Sequence, residues 1–175
     1  MADDSLSPSV TSPSVLSALA RRVADLLIAR DEKLAVCESS AGGSISAALL
    51  AIPGASAFYL GGAVVYTAAS RALIAGVIDT PAHLRGATEV FARYEAASIA
   101  GRLGATWGLG ETGATGPAGN GYGDPAGHAW VAVVGPGEPQ TCHVLTGSND
   151  REANMVAFAT AALTLLADTI TATRP

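Results

Sequence analysis

The strongest constraint on the fold is that the chain alternates between two hydrophobic periodicities. In residues 14–30 apolar side chains recur every three or four positions, which predicts an amphipathic helix. Residues 34–38 form a short apolar run, which predicts a buried strand. The same patterns continue along the chain. They predict helices at 44–52, at 70–77, at 88–103 and after Asp150, with one further helical turn at 81–85. They predict strands at 58–66, 105–111, 128–134 and 140–145. This alternation predicts a three-layer α/β/α sandwich with a mixed, mainly parallel sheet.

Capping residues, glycines and prolines set the predicted boundaries of these elements. N-caps are expected at Ser14, Thr88 and Asp150. Two glycines inside the strand at 58–66, Gly61 and Gly62, predict a bulge or a close backbone approach. Residues 113–127 contain six glycines and two prolines, which is too many for a regular element and predicts a functional loop.

Length and charge limit the classes of function. The 175 residues predict a single domain at 14–173, after a Ser- and Pro-rich tail at 1–13 that is expected to be disordered. Ten Lys and Arg against fifteen Asp and Glu give a net charge of −5 without a basic stripe, so direct nucleic-acid binding is not expected. Only 14% of the residues are charged, which predicts an apolar subunit interface and therefore a homo-oligomer.

Neither membrane association nor a cofactor is expected from the sequence. No continuous apolar run approaches the ~20 residues that span a bilayer, and the acidic first residues lack the apolar core of a signal peptide, so a cytoplasmic location is expected. Two cysteines in predicted strands, Cys37 and Cys142, are expected to be reduced thiols. The three histidines, His83, His128 and His143, stand alone without metal-ligand spacing, so no metal is expected either.

Small polar residues follow the predicted strands, where ligands bind in open α/β sheets. The glycine-containing turn at 38–43 is suited either to binding an anion at a helix N-terminus or simply to capping that helix. Residues 112–117 are able to form a nest of amide groups for an anion or an oxyanion. Ser56 lies in a turn and is either structural or a nucleophile that needs an activating partner. Tyr66 and Arg71 are either a packed aromatic with a solvated cation or an active pair.

Six sequence blocks carry a more specific signal: they are Glu38-Ser39-x-x-Gly42-Gly43, Pro53-Gly54-x-Ser56, Gly62-x-Val64-x-Tyr66, Thr112-Gly113-x-x-Gly116-Pro117, Gly127-x-x-Trp130 and Asp150-Arg151. Their order and approximate spacing resemble the C-terminal domain of CinA, a family that includes the stand-alone nicotinamide-nucleotide amidases. The resemblance covers about residues 14–170.

The resemblance implies an α/β fold, a homo-oligomer and a role in pyridine nucleotide salvage. The implied reaction is hydrolysis of the carboxamide of nicotinamide mononucleotide to nicotinate mononucleotide and ammonia. Position by position, it implies that Ser56 is the nucleophile and that Tyr66, Arg71 and Thr112 are further catalytic residues. The implied substrate-binding residues are Glu38, Ser39, Gly42, Gly43, Gly113, Gly116 and Arg151.

The sequence departs from the family pattern at polar positions. Ser40 and Ala41 stand where the family has Cys and Thr, Asp124 where it commonly has Lys, and Met155 where it has a second Arg. Arg71 replaces the active-site lysine, and a guanidinium with a pKa above ~12 supplies positive charge but cannot act as a base. Two hypotheses follow: an amidase in which Tyr66 acts as the base, or a catalytically inactive or redirected relative that binds a nucleotide-like ligand without cleaving it.

Overall fold

The computed structural model describes residues 14–73 and 84–173, except for the side chains of residues 71–73. The tail predicted at 1–13, His83 and part of the region predicted to be helical at 70–85 lie outside the described residues. Residues 84 and 85, at the end of the predicted helical turn, are not helical.

Helices and strands alternate along the described chain. The helices are α1 Val15–Ala29, α2 Ser44–Leu50, α3 Ala68–Leu73, α4 Glu89–Leu103 and α5 Arg151–Ala172, with a short 3₁₀ helix at Ala55–Ala57. The strands are β1 Leu34–Glu38, β2 Tyr59–Val64, β3 Trp107–Ala114, β4 His128–Val134 and β5 Gln140–Leu145.

The five strands form one open sheet in the order β2-β1-β3-β4-β5. β1 is central to a parallel half, because it pairs in parallel with both β2 and β3. β4 runs antiparallel to β3 and β5, which makes the sheet mixed. The α/β class and the mixed sheet predicted from the sequence are confirmed.

Helices cover both faces of the sheet. α4 packs on one face, and the glycines of β3 permit this approach: a Cβ at Gly108 or Gly110 would lie 2.0 or 2.1 Å from a backbone oxygen of α4. α2 and α5 pack on the opposite face, with α1 against both helices. The main core lies on this second side and includes Leu27, Ile45 and Phe158, which are fully buried.

The predicted capping residues and the predicted bulge are confirmed. Ser14, Thr88 and Asp150 each accept a hydrogen bond from the backbone N–H three residues later. The register between β1 and β2 shifts so that Leu60 has no opposite residue, which is the geometry of a β-bulge. Cys37 and Cys142 are free thiols, and burial raises the pKa of both.

Several predicted boundaries were wrong: β2 spans residues 59–64 rather than 58–66, β3 begins at residue 107 rather than 105, and α3 begins at residue 68 rather than 70. β3 continues to Ala114 rather than ending at residue 111, because the backbone of residues 112–114 completes its hydrogen bonds by antiparallel pairing with β4. The glycine-rich loop therefore begins later than predicted. α2 ends at Leu50 rather than at residue 52, where the chain turns towards Pro53 and Gly54.

α5 is long and apolar enough to cross a membrane by length and composition, with a mean hydropathy of 1.6 over its most apolar window. Asn154 and several threonines interrupt the sequence of α5, so it contains no long uninterrupted apolar run. In the fold, 44% of that window is buried, and the buried side chains of α5 pack in the main core against α1 and the sheet.

Candidate active site

A cavity of about 510 Å³ opens beyond the carboxyl ends of β1, β2 and β3. This is the position at which open α/β sheets bind ligands, and the volume falls within the usual range for small-molecule sites. Six of the catalytic and substrate-binding residues that the resemblance implies line this cavity: they are Ser39, Tyr66, Thr112, Gly113, Gly116 and Arg151. Residues that are widely separated in sequence thus line the same cavity.

Arg151 joins two sides of the cavity. It is the first residue of α5, and its guanidinium donates one hydrogen bond to the Gly116 carbonyl (2.8 Å) and another to the Tyr66 hydroxyl (3.0 Å). The guanidinium carbon also lies 5.7 Å from the centre of the Tyr66 ring. The exposed Arg151 therefore places a fixed positive charge at the cavity wall, beside a phenol and the glycine-rich loop.

Two buried carboxylates hold the turn after β1. Glu38, at the end of β1, accepts hydrogen bonds from the backbone N–H groups of Gly43 (3.0 Å), Ile45 (3.1 Å) and Ser46 (2.9 Å). Glu38 thereby satisfies the free N–H groups at the start of α2, which is the role of a helix cap. Neither Glu38 nor the glycines Gly42 and Gly43 line the cavity.

The second carboxylate, Glu111 of β3, lies opposite Glu38 in the sheet register. Its carboxylate accepts hydrogen bonds from the backbone N–H groups of Ser39 (3.0 Å) and Ala41 (2.8 Å) and from the hydroxyl of Ser40. Burial raises the pKa of Glu111 to about 7, and the nearby charge of Glu38 also raises it, although the three hydrogen bonds act in the opposite direction. Glu111 thus carries a titratable proton directly behind the cavity wall.

The hydroxyl of Thr112 is engaged by the chain itself. It is buried and accepts a hydrogen bond from the backbone N–H of Ala87 (3.1 Å), just before α4. The Ala87 carbonyl in turn contacts His128 Nε2 (2.9 Å). This network fixes the end of β3 against the residues that precede α4.

His128 and His143 form a pair, which corrects the expectation that the histidines stand alone. The register sets His143 of β5 opposite Trp130 of β4 and diagonal to His128, which brings His128 Nδ1 to 2.9 Å from His143 Nε2, and Trp130 stacks on the His143 ring. Sequence spacing did not reveal this contact because it depends on the register of two strands. Among the described residues, no cluster of three or more His, Cys, Asp or Glu is placed to hold a metal ion.

Ser56 lies away from the cavity, at the opposite end of β2. It is exposed in the 3₁₀ helix before β2, whereas Tyr66 follows the end of β2. β2 has six residues and therefore spans roughly 17 Å. Ser56 does not line the cavity, and the side chain of Arg71 is outside the described residues.

A family model described as the CinA C-terminal domain matches residues 16–170. The chain belongs to the CinA C-terminal domain family. A CinA-like protein of Prochlorococcus marinus is 39% identical over 119 residues, which are 67% of this chain and 28% of that protein. A CinA-like protein of Gloeobacter violaceus is 37% identical over 74% of this chain and 31% of its own length. The chain thus spans about a third of the length of these curated relatives.

Solved structures of CinA proteins share the fold over their whole length. The competence damage-inducible protein A from Klebsiella pneumoniae matches with a TM-score of 0.82 and 28% identity, covering 91% of this chain and 99% of that one. The competence/damage inducible protein from Agrobacterium tumefaciens matches with a TM-score of 0.81 and 25% identity, covering 93% and 99%. The sheet and its helices therefore have the fold of these solved CinA structures.

Three of the residues at which this CinA domain departs from the family pattern lie in or against the turn after β1. Ser40 bonds Glu111, Ala41 is buried, and Met155 packs over Gly42, where its Cε lies 2.5 Å from the position of an added Cβ. None of these three side chains lines the cavity.

Asp124 of this CinA domain is neutralised by an arginine that the sequence analysis did not single out. Arg85 forms a two-point ion pair with Asp124 (3.0 and 3.3 Å) and lies over the ring of Tyr122, a residue of the cavity wall. Burial opposes ionisation of Asp124, but hydrogen bonds from Asn120 and Arg85 and the charge of Arg85 together lower its pKa. The rim therefore carries a paired charge rather than an isolated anion.

Glu111 and Arg85 are the main residues that sequence reasoning missed. A signal for Glu111 was present, because a lone carboxylate inside an apolar predicted strand must find partners when it is buried. Arg85 gave no comparable signal, since its pairing with Asp124 depends on how the glycine-rich loop folds back.

Proposed function

We propose that this protein is an amidohydrolase that converts nicotinamide mononucleotide to nicotinate mononucleotide and ammonia. The observation that carries the proposal is the contact of Arg151 with both Tyr66 and Gly116 in a cavity formed by the blocks that match the CinA family. A guanidinium beside backbone amides suits a ligand that carries a phosphate.

The reaction needs four functions, and the proposal assigns them to named groups. Ser56 attacks the carboxamide carbon, and the deprotonated hydroxyl of Tyr66, next to the positive charge of Arg151, accepts the proton of the serine hydroxyl. The amide N–H groups of Thr115 and Gly116, which follow β3, stabilise the oxyanion of the tetrahedral intermediate. Tyr66 then donates this proton to the nitrogen, which leaves as ammonia, and water releases the acyl group from Ser56 as the carboxylic acid.

The deciding experiment measures ammonia release from nicotinamide mononucleotide by the purified protein. We expect release by the wild type and its loss in Ser56→Ala, which excludes a contaminating enzyme. Ser44→Ala is the matched control, because Ser44 is a serine at the start of α2 that lies outside the sequence blocks that match the CinA family. Equal release from the wild type and Ser56→Ala would contradict the assignment of Ser56.

The second candidate is a redirected relative that binds a nucleotide-like ligand without cleaving it. The presence of Arg71 at the position of the family lysine favours it, because arginine does not release a proton at neutral pH. Under the amidase proposal, Arg71→Lys should increase the rate of ammonia release. Saturable binding of nicotinamide mononucleotide without ammonia release, before and after this substitution, would instead support the second candidate.

A further inference from the structure

A second tyrosine of the cavity wall, Tyr122, has an arginine beside its ring, as Tyr66 has. Tyr122 lies in the glycine-rich loop and is 60% exposed, and the guanidinium carbon of Arg85 lies 5.1 Å from the centre of its ring. Tyr122 lines the cavity and Arg85 does not, so Arg85 covers the ring from behind the cavity wall. The opposite face of the Tyr122 ring is therefore the one that a ligand in the cavity meets.

The arginine behind Tyr122 is itself fixed in position. Its guanidinium forms the two-point ion pair with Asp124 at 3.0 and 3.3 Å, and a bidentate pair of this kind fixes the plane of the guanidinium as well as its place. Asn120 donates a hydrogen bond to the same carboxylate (2.8 Å). Arg85 is thus held over the ring by contacts that do not involve the ring.

The backbone that carries Tyr122 is held by the side chain of Asn120. Its Oδ1 accepts hydrogen bonds from the backbone N–H groups of Tyr122 (3.0 Å) and Asp124 (3.1 Å), and its carbonyl accepts one from Gly123 (3.2 Å). Asparagine side chains commonly fix tight turns in this way. A ring whose position is already fixed loses less conformational entropy when a ligand binds. Tyr122 is therefore preorganised for contact with a ligand, although it is exposed.

The two arginines give the cavity a positive side and a neutral side. Arg151 donates to the Gly116 carbonyl and the Tyr66 hydroxyl, and these neutral acceptors do not compensate its charge. The charge of Arg85 is balanced by Asp124. A ligand that carries an anionic group and a planar, positively charged ring complements this distribution of charge.

We propose that Tyr122 is the surface on which the positively charged pyridinium ring of the substrate stacks, and that Arg85 and Asp124 are positioning residues that hold Tyr122 from behind. A cation is attracted to the face of an aromatic ring. The pairing of Arg85 with Asp124 reduces the repulsion that an unpaired guanidinium would exert on that cation. This inference rests on the proposed function for the identity of the substrate. It makes Tyr122 a specificity residue that distinguishes a charged pyridinium from a neutral ring.

Titration calorimetry with two nucleotides tests this specificity. Nicotinamide mononucleotide has a positively charged ring, whereas its reduced form has a neutral ring of nearly the same shape. All proteins in the titration carry Ser56→Ala, so that the amide is not hydrolysed. We expect this protein to bind the oxidised form about tenfold more tightly than the reduced form.

Two substitutions of Tyr122 show whether its ring causes this preference. Tyr122→Leu should abolish the preference, and Tyr122→Phe should keep it, because the face of a phenyl ring also attracts a cation. Equal affinities for the two nucleotides before substitution, or a preference that survives in Tyr122→Leu, would overturn the proposal.

Asp124→Asn tests the role of charge behind the ring. The amide keeps the shape of the carboxylate but leaves the charge of Arg85 unpaired. We expect affinity for nicotinamide mononucleotide to fall about fivefold and affinity for its reduced form to fall by less than about twofold. Asp168→Asn is the matched control, because Asp168 pairs with Arg22 on the surface. Equal losses for both nucleotides would show that Asp124 supports the loop without contributing to recognition of the charged ring.

Ammonia release separates this inference from the proposed function. With Ser56 intact, Tyr122→Leu should raise KM for nicotinamide mononucleotide about tenfold and should affect kcat less. If release persists with an unchanged KM, the stacking proposal fails and the amidase proposal stands. If no ammonia is released but the preference for the charged ring depends on Tyr122, the amidase proposal fails and the stacking proposal stands. Absence of any binding of nicotinamide mononucleotide would overturn both.

Discussion

Arg151 illustrates at the residue scale how one side chain connects separate parts of the site. Its two hydrogen bonds reach the carbonyl of Gly116 and the hydroxyl of Tyr66, which come from different loops. The planar guanidinium can make both contacts at once, and a lysine ammonium, which is a point charge, matches only part of this geometry.

Arg151→Lys is therefore expected to weaken substrate binding more than it slows the chemical step. Loss of one charge-assisted hydrogen bond should raise KM about tenfold. Steady-state ammonia release at varied nicotinamide mononucleotide measures this effect. Arg22→Lys serves as the control, because Arg22 pairs with Asp168 on the surface and does not line the cavity. An unchanged KM in Arg151→Lys would count against a role of Arg151 in binding.

Glu111 makes the stability of the protein depend on pH. Its pKa is raised from 4.5 to about 7 in the folded state, so the folded protein holds this proton more tightly than the unfolded chain. The stabilising contribution is complete below pH ~4.5 and is lost as the pH rises through about 7.

We expect the carboxyl carbon of Glu111 to titrate near pH 7 in ¹³C NMR spectra of the folded protein. The free energy of unfolding in denaturant should also contain a component that decreases between pH 4.5 and 7. Titration of Glu111 near pH 4 would show that its hydrogen bonds from Ser39, Ser40 and Ala41 outweigh burial.

At the scale of secondary structure, the start of α2 depends on a side chain from the preceding strand. α2 is a short helix of seven residues with glycine at its N-cap, so no capping side chain is available within the helix. The carboxylate of Glu38 accepts the N–H groups that would otherwise be unpaired. Glu38 therefore serves the fold at a position where the family resemblance implied substrate binding.

Glu38→Gln should destabilise the protein, because the amide NH₂ group would face backbone N–H donors and leave at least one of them unpaired. The expected loss in the free energy of unfolding is about 1–3 kcal/mol, measured by denaturant titration. Glu138→Gln is the matched control, since Glu138 is exposed in the turn between β4 and β5. Equal stabilities of the two variants would show that Glu38 does not hold the turn.

At the scale of the whole molecule, α5 connects the core to the active site. Its middle is packed in the main core through Phe158 and Leu163, and its first residue is Arg151. Between them, the buried Asn154 donates to the carbonyls of Thr115 and Ser148, both at 2.8 Å. The position of the glycine-rich loop is therefore set by the packing of a helix that lies mostly outside the cavity.

Asn154→Ala is expected to lower stability by about 1–3 kcal/mol, because the buried carbonyl of Thr115 and the partly buried carbonyl of Ser148 lose their donor. The substitution should also raise KM, since the loop that lines the cavity loses its contact with Asn154 and keeps the one with Arg151 of α5. Thermal unfolding and ammonia release measure the two effects, with Val156→Ala on the exposed side of α5 as the control. A loss of stability with an unchanged KM would show that Asn154 does not position the loop for substrate binding.

The sequence by itself determined the elements and the region of the site. Periodicity and capping residues determine the helices and most strands, because these signals act between neighbouring residues in the chain. The blocks after the strands also identified Tyr66, Gly116 and Arg151, which the structure brings together, since parallel strands present their carboxyl ends on one side of a sheet.

Only the tertiary structure decided which polar groups serve the fold and which face the cavity. The buried pair of Glu38 and Glu111, the contact of His128 with His143 and the ion pair of Arg85 with Asp124 all depend on strand register or loop path. The position of Ser56, separated from the cavity by the length of β2, is also a property of the folded chain. Such contacts join residues far apart in sequence, and a linear pattern contains no information on the distance between them.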